Sequence, residues 1–165
     1  MTLGISTRTP QHALAAMLDR YASQRLLIVG ASSFPALDAY KAEHPEAVVA
    51  HANPGALPAD LAAQRFDFAL VVDCLEHLPK REGFELLAGI RNLNASRIAV
   101  LADLNACKWK ETDFLALGLQ NNENFQRAEQ MLTLFTYDLH EYKQVPDWLN
   151  ARFWANPENF GKYWW

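Results

Sequence analysis

The chain has 165 residues, enough for one domain with a sizeable core. Hydrophobic residues make up 50% and charged residues 21%, a globular balance that excludes a disordered or fibrous chain. The formal net charge of −4 gives no electrostatic footprint for nucleic acid, and no apolar run reaches the roughly 20 residues of a membrane span.

Met1 to Ser6 has no charged segment leading into an apolar one, so no secretory signal is expected and the chain is assigned to the cytoplasm. Thr9-Pro10 forms an N-cap and first helical position, and Leu14, Met17, Leu18 and Tyr21 recur at helical spacing, which predicts an amphipathic helix over 10–23. Leu26 to Val29 is a continuous apolar run ending at Gly30, suited to a parallel strand covered on both faces. Ser32 or Ser33 is expected to cap a helix near 34–44 that Pro45 ends. Ala47 to Ala50 is a second short strand, Asn53-Pro54-Gly55 a turn, and 58–64 a short helix.

Phe68 to Val72 is a third strand. Pro79 opens a helix in which Phe84, Leu87, Ile90 and Leu93 face the core, and Arg97 to Leu101 is a fourth strand whose end reaches Asp103. Such alternation predicts an α/β sheet with right-handed crossovers. Met131 to Leu139 has β propensity and pairs with a strand near 119–129 as an antiparallel hairpin. Aromatics then concentrate after Glu141, among them Trp148, Trp154, Trp164 and Trp165. The whole chain, 1–165, is expected to be one domain, with 142–165 an aromatic-rich extension packed on it. Three roles for that tail stay open: core closure, a homodimer interface, or ring stacking. Cys74 and Cys107 form neither a disulfide framework nor a paired zinc spacing.

The succession Phe66-Asp67, an apolar strand, Leu75-Glu76-His77-Leu78-Pro79, a helix and another strand resembles class I S-adenosylmethionine-dependent methyltransferases. The tail, around Val145-Pro146-Asp147-Trp148, resembles a small bacterial family of unknown function with that fold. The resemblance implies a Rossmann-like three-layer sandwich, mostly parallel and closed by an antiparallel hairpin. It also implies S-adenosylmethionine as cofactor, with Gly30, Ser32, Ser33, His51 and Asn53 at the cofactor and Asp73, Glu76 and His77 at the substrate. Three departures weaken it. Only Gly30 survives of a glycine-rich loop, Ala50-His51-Ala52-Asn53 has no acid for the ribose hydroxyls, and Gly30 to Asp67 is too short for the two strands and two helices the family fits there.

Ligands of doubly wound sheets bind beyond the carboxyl ends of the strands, which gathers Ser32, Ser33, His51, Asn53, Asp73, Glu76, His77, Asp103 and Asn105. In that setting Asp73 and Glu76 position a nucleophile and His77 is a general base. The plainer alternative has Glu76 favouring the start of the helix after Pro79, and Ser32 or Ser33 a mere cap. No metal site is assigned, since His51, Asp73 and Asp103 lack a ligand spacing. Two functions remain open: a non-catalytic methyltransferase-like protein that binds a small molecule or protein partner, or an active methyltransferase acting on a small molecule.

Overall fold

The structure, a computed structural model, describes residues 5–127 and 130–142. The aromatic tail of 143–165, and with it the expected extension, lies outside the described residues.

Six strands form one sheet in the order β2-β1-β3-β4-β6-β5. The strands are β1 (Arg25–Gly30), β2 (Val48–Ala52), β3 (Phe68–Val72), β4 (Arg97–Asp103), β5 (Gln120–Arg127) and β6 (Gln130–Asp138). Pairings among β1 to β4 are parallel, whereas β6 runs antiparallel to both β4 and β5. The helices are α1 (Pro10–Tyr21), α2 (Pro35–Glu43), α3 (Ala59–Ala62), α4 (Lys80–Gly89), α5 (Glu111–Ala116) and α6 (Leu139–Tyr142).

Strand alternation divides the core into two layers. Leu26, Ile28, Phe68, Leu70 and Ala99 pack under α1 and α2, through Leu14, Leu18 and Leu37. Leu27, Val29, Ala69, Val71 and Val100 pack against Leu86, Leu87 and Ile90 and against α5 through Phe114. The central strands are covered on both faces, which is why they are continuous apolar runs rather than alternating ones. The result is the three-layer, mostly parallel sandwich with an antiparallel end that the sequence predicts.

Between Gly30 and Asp67 the chain forms α2, β2 and α3, and so one strand where the resemblance calls for two. The helix α3 is a single turn of four residues. Its carbonyls are held by the buried Asn94, whose amide nitrogen donates to Ala62 O at 3.0 Å and Gln64 O at 2.8 Å.

Two expectations are corrected. Phe34, not a serine, stands at the N-cap of α2 with no side-chain cap bond, because Ser33 Oγ turns to the Asp38 carboxylate at 2.8 Å. Leu93 is 65% exposed, not core. After Gly89 the helix widens into a π-type turn over Ile90–Asn94, closed by Ala95 N–H donating to Ile90 O at 2.9 Å. The wider turn rotates the following side chains, burying Asn94 and turning Leu93 outward. The helix α5, for which the sequence gives no expectation, is anchored by Phe114 stacking on Phe135 with centroids 3.8 Å apart.

Candidate functional site

The chain steps from β1 outward to β2, then across β1 to β3, so the topological switch lies between β1 and β3. At their carboxyl ends Gly30 pairs with Val72. Gly30 has φ +104°, and a Cβ there would lie 2.1 Å from Val72 O and 3.0 Å from the Cβ of Cys74. Ala31 N–H also donates to Val72 O, at 2.8 Å. The glycine is therefore required by the approach of the chain's own β3 end, which explains its presence without any ligand.

The other expected cofactor residues are likewise engaged by the chain or exposed. His51 Nε2 lies 2.9 Å from Gly30 O, and since a carbonyl only accepts, that nitrogen carries the proton. Asn53 is exposed beyond the end of β2, and no acid stands beside it. Ser32 is exposed, and Ser33 is spent on Asp38 in the first turn of α2. Ala36 N–H in that turn donates to Gln11 Oε1 at 3.1 Å. The positive end of α2 thus already faces a carboxylate of its own, which opposes an incoming anion.

The expected substrate residues separate into two groups. Asp73 adopts φ +53° and accepts from His77 Nε2 at 3.0 Å, and both side chains are exposed. With Nε2–H donating to the carboxylate, Nδ1 is the ring nitrogen that this pair leaves unused. Glu76 instead turns inward: its Oε1 accepts from Asp103 N–H at 2.7 Å, while Oε2 is buried without a hydrogen-bond partner. Glu76 therefore pins the end of β4 to the turn after β3, a different contact from the start of α4. Asp103 is buried and accepts from Asn105 N–H at 3.0 Å. Cys74 is buried beside these acids; burial first, then the charges of Glu76 and Asp73, push its thiol up to about 12. A thiol so held is a packing group, not a nucleophile.

Among the described residues, the set whose ligand atoms approach within 4.8 Å of one another is Asp19, Glu43 and His44. It lies at the amino end of the parallel strands, away from the switch, and His44 there already faces Glu46 at 3.4 Å.

A cavity of about 440 Å³ opens on the flank between α3 and α4, beside the shortened connection. Leu57, Glu82, Leu86, Gly89, Ile90 and Leu93 are among its lining residues. The sequence carried one signal for it, a glycine at position 89 inside a helical pattern.

A family model matches residues 8–165. The chain belongs to DUF6231, a family of unknown function. No curated protein matches it in sequence. Among solved structures it is similar to magnesium protoporphyrin IX methyltransferase from Synechocystis PCC 6803 with bound S-adenosylmethionine, at 15% identity over 78% of this chain and 79% of that one, TM-score 0.50. It is also similar to a protein assigned as an O-methyltransferase from Nostoc punctiforme, at 12% identity over 77% of this chain, TM-score 0.51. The chain spans about half of that second protein, 55% of its length. These likenesses show the fold: it is that of class I S-adenosylmethionine-dependent methyltransferases.

The residues at the switch do not fit the cofactor in the manner the fold implies. Gly30 is accounted for by the approach of Val72 O, the helix end carries Asp38, and the end of β2 offers an imidazole turned onto Gly30 in place of a carboxylate. Among the described residues no helix is long and apolar enough to cross a membrane.

Proposed function

We propose that this protein is a methyltransferase-fold binding protein that does not transfer methyl groups and takes a small ligand or a protein partner. The observation that carries the reading is that residues expected at the cofactor bond within the chain instead: His51 lies on the Gly30 carbonyl and Ser33 on the Asp38 carboxylate, while Gly30 is accounted for by the approach of Val72 O. Cys74 and Cys107, both buried and free, agree with a reducing cytoplasmic setting.

A second reading, an active methyltransferase acting on a small molecule, draws support from the exposed His77–Asp73 pair, in which His77 would serve as general base toward a substrate. Calorimetric titration with S-adenosylmethionine and S-adenosylhomocysteine decides between them, with Ser33→Trp as a blocked-loop control. No heat at near-millimolar ligand is expected. Micromolar binding that Ser33→Trp abolishes would overturn the binding-protein reading in favour of the enzyme.

A further inference from the structure

We infer that the cavity between α3 and α4 is a binding site for a small hydrophobic cation, an alkyl chain carrying an amine or ammonium group. The inference rests on the binding-protein reading and names its ligand class.

The cavity, about 440 Å³, falls within the range of roughly 300–1,000 Å³ usual for small-molecule sites. Its floor is hydrocarbon: Leu86 and Ile90 are buried, and Leu57 packs on the same core. Leu93, turned out by the π-type turn and 65% exposed, is part of the wall. An aliphatic ligand covering that leucine removes apolar area from water on both partners.

The polar groups around this floor have one sign. Glu82 and Glu85 stand three residues apart on one face of α4, and the lining contains no lysine, arginine or histidine. Glu85 accepts from Arg81 Nε at 3.2 Å in an exposed pair, while Glu82 has no hydrogen bond or ion pair among the described residues. The remaining polar group, the Asn94 amide, already donates to the carbonyls that end α3. A cationic head beside Glu82 with its chain over Leu86 satisfies this arrangement, and an anion meets only carboxylates.

Gly89 is the second line of argument. It lies within α4, and a Cβ added there meets nothing within 4 Å. Glycine in a helix costs about 0.5–1 kcal/mol relative to alanine, so its presence is unfavourable for the helix itself. Gly89 is itself among the residues that line the cavity, and the space beside it is open.

The test is calorimetry of the full chain at neutral pH with n-octylamine, n-octanoate and n-octanol, in the wild type, Gly89→Leu and Glu82→Gln. Octylamine is expected to bind about tenfold or more tightly than octanoate. Gly89→Leu should melt no lower than the wild type and lose the octylamine heat. Glu82→Gln should weaken octylamine about threefold and leave octanol unchanged. Equal binding of amine and carboxylate, binding that survives Gly89→Leu, or no octylamine heat below millimolar concentration would each overturn the site. Failure here without S-adenosylmethionine binding removes the cavity alone. Cofactor binding that persists in Gly89→Leu removes the binding-protein reading, and the octylamine arm still judges the cavity.

Discussion

The carbonyl oxygen of Val72 occupies the place where a Cβ on Gly30 would stand, 2.1 Å from it. Two strands of the sheet meet there so closely that the β1 turn has no room for a side chain, and the backbone at φ +104° disfavours one in any case.

Gly30→Ala is therefore expected to cost about 2–5 kcal/mol, from strain at positive φ together with overpacking against β3. Urea unfolding monitored by tryptophan fluorescence measures it. An unchanged midpoint would mean that the β3 end moves aside readily.

Glu76 and His77 are neighbours with opposite roles. Glu76→Ala removes the acceptor of Asp103 N–H and should destabilise by about 1.5–3 kcal/mol, the range for a hydrogen bond to a charged group. His77→Ala breaks only an exposed pair and should stay within about 0.5 kcal/mol of the wild type. Thermal and urea unfolding of the two variants side by side check this. Equal losses would show that the Asp73–His77 contact braces the turn.

Asn94 holds the one-turn helix α3 in place. Asn94→Ala leaves the carbonyls of Ala62 and Gln64 without their donor and should cost about 2–3 kcal/mol. Hydrogen exchange in 59–66 should quicken more than in β3, because the released contact is local. Uniform quickening would place the whole loss in global stability instead.

Much of this architecture was legible because the strands carry their own signal. Leu26 to Val29 and Phe68 to Val72 are apolar without interruption, and only a sheet covered on both faces accounts for that at such short length. The π-type turn was not legible, since one additional residue per turn leaves no mark on a helical pattern until Leu93 faces the wrong way. The helix α5 depends on distant partners, Lys80 Nζ on Asp113 at 2.7 Å and Phe135 on Phe114, and six residues carry too little periodicity to announce it. At the site, the sequence indicates which polar residues follow the strand ends, yet not how they pair with one another. Whether Glu76 faces a ligand or Asp103 N–H depends on a turn of three residues whose direction no spacing rule fixes.

Cys74 gives a prediction in pH. Its thiol is raised from an ordinary value of 9.0 to about 12, by burial first and by Glu76 and Asp73 after it. At pH 8 the folded protein then holds the thiol almost wholly protonated, with too little thiolate for attack on a disulfide reagent. Cys107 is raised in the same direction, again chiefly by burial. A folded-state value above the unfolded one means that the neutral thiol favours folding below pH 9.0, and this contribution is lost as pH rises from there through about 12. The native protein should release no thiol to an aromatic disulfide reagent at pH 8, should release two in urea, and should lose stability progressively above pH 9.0. Rapid reaction of the native protein at Cys74 would show that the turn after β3 opens on its own, with its acids and the end of β4 no longer held together.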